Sequence, residues 1–236
     1  MEGLLIGLAE RHRHLKTRKT GRHRTNDRDG LIMALEIWTN YYPVRPNDFT
    51  DKMKVKQVLF IQGGGNGGYE ADAALTASLQ SELGSGYRVH YPQMLPDETM
   101  EDFAPYWLNQ MDKEISAFQS ELILAGHSLG ASVLLKYLSE NSTGKNITGI
   151  FLIAPPFWSG KQNWVQPLKL QDGFAGKLPK HIPIFVYHCK DDEVPFSHFT
   201  TYKQYLPHAA FREIENGGHQ LDNDLSLVAN DIRQLK

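Results

Sequence analysis

Cysteine is almost missing from this chain. Cys189 is the only one in 236 residues, so no disulfide can close within it, and a reducing, cytoplasmic compartment is the expectation. Long apolar runs are missing too. Nothing approaches the ~20 residues that span a bilayer. The segment Leu4-Leu5-Ile6-Gly7-Leu8-Ala9 is too short for a secretion signal, follows Glu2, and lacks a small-residue cleavage site. No membrane partner is therefore expected. Charge of one sign is not in excess: 25 Lys and Arg stand against 27 Asp and Glu, a net charge of -2. Nothing global draws the protein to nucleic acid. No His/Cys cluster has the spacing of metal ligands, so no metal site is expected. No internal repeat is visible.

What is present is unevenly placed. The 41% hydrophobic and 22% charged fractions are those of a soluble globular protein with room for one full-sized core. Residues 1–52 stand apart. Between Arg11 and Arg28 the chain is dense in Arg, Lys and His, with Asp27 the one opposing charge and Leu15 the one large apolar residue. Such a run cannot bury enough surface to offset its ordering entropy, so a disordered basic extension is expected. It reads as a solvated tail, or as upstream sequence ahead of a natural start at Met53; a basic arm touching nucleic acid or membrane is the alternative. Residues 31–42 have the pattern of one helix.

From Val55 onward strand-like and helix-like segments alternate. Strands are expected over 55–61, 87–91, 122–125, 147–154, 182–188 and 211–215. Helices are expected over 71–83, 101–120 (interrupted near Pro105), after Ser128, over 196–205 and over 221–235. This alternation argues for an α/β domain over 53–236, a mostly parallel sheet with helices on both faces. Residues 155–180 break the rhythm with Pro, Gly, Trp158 and Trp164, and suggest a short lid.

Gly126-His127-Ser128-Leu129-Gly130 is the most informative stretch. The apolar Leu122-Ile123-Leu124-Ala125 precedes it, and Ala131 to Leu138, apolar at helical spacing, follows. A serine on such a sharp strand-to-helix turn sits in a strained backbone with its hydroxyl pushed out of the sheet. The crowding on either side calls for glycine. A neutral hydroxyl needs a base, and the base needs an acid to hold its tautomer. Both occur downstream at expected strand ends. Asp191 and Asp192 follow the 182–188 strand, and Gly217-Gly218-His219 follows the 211–215 strand, where two glycines let an imidazole drop over the sheet edge. Gln62-Gly63-Gly64-Gly65-Asn66-Gly67-Gly68 offers backbone N–H groups that, with Leu129, suit an oxyanion. The same glycine run lacks the lysine of a phosphate loop and is too rich for dinucleotide spacing to mean much. His127 is expected to support the turn, its side chain facing away from the serine. His188, His198 and His208 read as packing or surface residues.

These motifs resemble the α/β-hydrolase superfamily, and within it the small serine hydrolases of the retinoblastoma-binding-protein-9/YdeN type. The resemblance covers about Val55 to Lys236. It implies an α/β-hydrolase fold, no cofactor, and a small-molecule acyl substrate cleaved through an acyl-enzyme. It makes Ser128 the nucleophile, His219 the base and Asp191 the acid. Asp191 is preferred to Asp192 because superfamily members often place this acid three residues before a valine (here Val194) and three after a glycine, whose place His188 takes. Gly64 or Gly65, with Leu129, would hold the oxyanion; Gln62 stands where many superfamily esterases have histidine. Trp158 and Trp164 either line an acyl pocket or pack the lid. Peptidase, thioesterase and carbon–carbon hydrolase share this triad. An interaction protein on the same fold is the competing class.

Overall fold

The computed structural model describes residues 55–65, 67–95, 103–158 and 168–235, all within the unit that runs from Met53 to Lys236. The basic run, the 31–42 helix, Asn66 and Trp164 lie outside the described residues.

Six strands form one sheet: β1 (Lys56–Ile61), β2 (Tyr87–His90), β3 (Leu122–His127), β4 (Ile147–Ile153), β5 (Ile184–Cys189) and β6 (Ala210–Ile214). Their order is β2-β1-β3-β4-β5-β6, and every pairing is parallel. Between them run α1 (Gly68–Leu83), α2 (Phe103–Ala117), α3 (Ser128–Glu140), the single-turn α4 (Phe174–Lys177), α5 (Phe196–Tyr205) and the terminal α6 (Ser226–Arg233). No helix among the described residues is long and apolar enough to cross a membrane.

Side chains alternate faces along each strand, and each face has its own core. Leu59, Ile61, Leu122, Leu124, Ile150 and Leu152 point into the larger cluster with residues of α2, α3 and α5. Val58, Phe60, Ile123, Ala125, Phe151 and Ile153 point into the other, with Leu75, Leu79 and Leu83 of α1 and Val228 and Ile232 of α6. Strands buried on both faces must be apolar at every position, which is why they read as continuous runs. The chain reverses its direction of progress between β1 and β3. The carboxyl ends of these two strands therefore flank the crevice where open α/β sheets take ligands.

Two expectations about the elements need correction. Pro105 does not interrupt α2: it lies in the first turn, where a missing N–H forfeits no intrahelical bond. The terminal helix does not start at Leu221. Leu221, Asp222 and Asn223 have φ of 48°, 50° and 58°, a left-handed turn that delays α6 to Ser226. The described part of the 155–180 segment packs on the domain. Leu168, Leu170, Phe174 and Leu178 are buried in the larger core.

One buried polar cluster anchors α6. Asp231 accepts from the Tyr187 hydroxyl at 2.8 Å and from Arg212 Nε and Nη2 at 2.9 Å each. Burial pushes its carboxyl up, but the hydrogen bonds from Arg212 and Tyr187 outweigh burial and hold it below 3.8. Asp231→Asn should cost about 1–3 kcal/mol in urea unfolding at neutral pH. A carboxyl depressed in the folded state stabilises only above its unfolded pKa. The difference between variant and parent should therefore shrink as pH falls through the carboxylate range.

Candidate active site

Ser128 has φ +48°, a conformation that non-glycine residues rarely adopt. Its two flanking glycines hold it there. A Cβ on Gly126 would meet the Ala131 amide nitrogen at 2.8 Å, and one on Gly130 would stand 2.6 Å from the Ile61 carbonyl oxygen and overlap that of Gln62. The crowding at Gly130 thus comes from the end of β1. Gly126 is crowded by the first turn of α3.

The glycine loop after β1 lies directly on this turn. A Cβ on Gly64 would stand 2.6 Å from Leu129 Cδ2 and 3.2 Å from its Cβ, so the Gly64 backbone packs closely on the Leu129 side chain. The Leu129 N–H belongs to the first turn of α3, whose N–H groups have no intrahelical acceptor and lie at the positive end of the helix dipole. Gly65, at φ +98°, instead turns the loop toward α1, its carbonyl accepting from the Gly68 amide at 2.8 Å. The Gly63 amide donates to Asp72 Oδ2 at 2.6 Å. The loop therefore already holds an anion of its own, which disfavours a phosphate cradle.

His219 reaches the edge on a loop whose Gly217 and Gly218 have φ of 134° and 58°. Its Nδ1–H donates to Asp192 Oδ1 at 2.9 Å, leaving Nε2 as the basic nitrogen. Asp191 does not make this contact. Residues 189–192 form a turn closed by the Asp192 amide on the Cys189 carbonyl, at 3.3 Å. The turn leaves Asp191 exposed and sends Asp192 back under the sheet edge, its side chain fully buried. Asp191 instead accepts from the Gly217 and Gly218 amides at 3.2 and 2.9 Å, clamping the histidine loop. The preference for Asp191 as the partner of His219 is thus corrected to Asp192.

Burial pushes the Asp192 carboxyl up, but the hydrogen bond from His219 and that from the Val194 amide at 2.7 Å hold it below 3.8. Burial pushes His219 down, and the Asp192 hydrogen bond and charge more than reverse this, so its pKa lies above 6.5. His188 packs beneath, fully buried, its Nε2–H donating to the Val194 carbonyl at 3.0 Å.

Ser128 and His219 come to the same edge through His127. The Nε2–H of His127 donates to the His219 carbonyl at 3.0 Å, and the two rings lie 4.7 Å apart. Among the described residues the Ser128 hydroxyl makes no hydrogen bond to the His219 ring; such bonds often tighten only in the substrate complex. Trp158 packs against the larger core just beyond β4.

Sequence reasoning missed Asp72. The signal was present: Asp72 shares the buried stripe of α1 with Leu75, Leu79 and Leu83, and a carboxylate on an apolar stripe needs a partner. A serine on a sharp strand-to-helix turn, an imidazole with a buried carboxylate behind it, and backbone amides over the same edge are the parts that acyl transfer to a serine requires.

A family model described as serine hydrolase matches residues 76–224. YdeN of Bacillus subtilis (strain 168) is 29% identical over 126 residues, which cover 50% of this chain and 63% of that protein, so the match spans just under two thirds of its length. The crystal structure of the B. subtilis ydeN gene product superposes with a TM-score of 0.59 at 23% identity, over 75% of this chain and 97% of that one. Est1E of Butyrivibrio proteoclasticus, solved with ferulic acid, gives 0.58 at 16% identity, over 79% and 90%. The fold shared with these neighbours is the α/β-hydrolase fold.

Asp192→Asn should slow hydrolysis of an activated substrate by about 10⁴-fold, because an amide behind the ring favours the wrong tautomer of the histidine. Asp191→Asn should cost far less. The rate should fall as pH drops through the His219 pKa, because an imidazolium cannot accept the serine proton. In the parent that limb should lie above 6.5. Removing the Asp192 charge should move it down.

Proposed function

The chain belongs to the serine hydrolase family, and on that premise we propose that it cleaves carboxylic esters or related acyl bonds through an acyl-enzyme on Ser128. The observation that carries this reading is the His219–Asp192 contact at 2.9 Å, on the same sheet edge as a serine held at φ +48°. His219 Nε2 takes the Ser128 proton as Oγ bonds to the carbonyl carbon. The oxygen gains negative charge and is held by the amides of Gly64 and Leu129. Of the two candidate loop donors, Gly64 is favoured over Gly65 by its contact with Leu129. Collapse breaks the bond to the leaving group, which takes the proton from His219. Water then repeats the sequence: His219 accepts its proton, hydroxide adds to the acyl carbon, and Ser128 departs with its proton restored. Losing one oxyanion donor typically costs ~3 kcal/mol of transition-state stabilisation.

A fluorophosphonate should label the parent on Ser128, and Ser128→Ala should stay unlabelled. Labelling that survives the substitution overturns the assignment. A series of p-nitrophenyl esters of rising acyl length should be turned over by the parent, with short and medium chains preferred. No turnover of any member would instead favour a binding role on the same fold.

A further inference from the structure

The mechanism above leaves unused a second buried histidine–carboxylate pair, beneath the nucleophile. Asp72 and His127 are each about 1% exposed, and His127 Nδ1 lies 2.9 Å from both Asp72 oxygens. The carboxylate gathers two further donors: the Gly63 amide on Oδ2 at 2.6 Å and Gln220 Nε2 on Oδ1 at 3.2 Å. The other face of the His127 ring system is committed too, since Nε2 donates to the His219 carbonyl. Both ring nitrogens therefore face oxygen atoms. Burial pushes Asp72 up, but the His127, Gly63 and Gln220 hydrogen bonds hold it below 3.8.

The segments joined here are the three that the proposed chemistry requires. Gly63 immediately precedes the oxyanion donor Gly64. His127 immediately precedes Ser128. His219 carries the base, and Gln220 follows it. The contacts span 9, 55, 92 and 148 residues of sequence. Two buried ionisable groups are a poor means of gaining stability, because desolvation offsets much of their attraction. What they do supply is directional placement, since each hydrogen bond fixes one backbone atom relative to the others. We propose that Asp72 and His127 act as a positioning pair that sets the oxyanion loop, the nucleophile and the base in register. This inference rests on the acyl-transfer reading of the site.

The test compares Asp72→Asn, His127→Gln and the double variant with the parent. An asparagine offers one acceptor oxygen where the carboxylate offers two. A glutamine can donate to Asp72 or to the His219 carbonyl but cannot span both as the ring's two opposed nitrogens do. Turnover of p-nitrophenyl acetate should fall about 10²-fold in either single variant, the scale of a 1 Å misplacement, with KM nearly unchanged. The double variant should be little worse than the poorer single, as expected of residues that act as a unit. Amide hydrogen exchange provides a readout independent of activity. It should quicken at residues 62–65 and 216–222 in the variants and stay at parental rates in β3, β4 and α6.

Turnover within about twofold of the parent overturns the pairing. So does exchange that rises uniformly across the sheet, which would mark a merely structural role. If the parent itself takes no fluorophosphonate, the acyl-transfer reading falls instead, and local exchange alone then decides whether Asp72 and His127 hold the three segments.

Discussion

Helix α3 is seated against strand β1 so closely that a Cβ at Gly130 would overlap the Gln62 carbonyl oxygen, and every part of the site inherits its position from that approach. With α3 that near, the turn from β3 must be sharp, and Ser128 is forced to positive φ. The same approach brings the loop after β1 over the first turn of α3, where Gly64 meets Leu129. Strain at the serine is thus sustained by packing from two buried strands and a helix. Those elements contribute buried residues to the cores on both faces of the sheet, so the strained residue is supported by close packing.

Three carboxylates serve this edge, and burial separates their roles. Asp192 and Asp72 are buried and each faces an imidazole; Asp191 is exposed and holds two glycine amides. Removal from water strengthens a carboxylate's field at the imidazole beside it, and for His219 the Asp192 hydrogen bond and charge outweigh the effect of burial. An exposed one can still cap a loop, because backbone amides need geometry more than field strength. The two histidine–carboxylate pairs are linked in series. His127 touches Asp72 on one side and the backbone of His219 on the other.

Much of this was legible in the chain, for identifiable reasons. The strands were readable because burial on both faces leaves unbroken apolar runs such as Leu122 to Ala125. Ser128 and His219 were readable because glycines mark the backbone conformations both need, and the structure finds positive φ at Ser128, Gly217 and Gly218. The choice between Asp191 and Asp192 was not readable. The two are identical in chemistry, and a single turn hydrogen bond, from the Asp192 amide to Cys189, decides which faces inward. Asp72 lay further out of reach. Its partner is 55 residues away, and only the parity of His127 with Ile123 and Ala125, on the face that α1 covers, connects them.

His188 occupies the end of β5, at the position where the spacing in relatives places a glycine. Where a glycine would leave the end of β5 open, the His188 ring fills the space beneath the loop and takes the Val194 carbonyl as acceptor. The Val194 amide donates to Asp192 Oδ1, two residues earlier, at 2.7 Å. An aspartate whose side chain accepts the amide two residues on is locked into a compact turn. That lock fixes the Asp192 carboxylate where the His219 ring can reach it. The His188 contact and the Asp192 turn thus both fasten Val194, and the loop after β5 is held from the strand and from its own side chain.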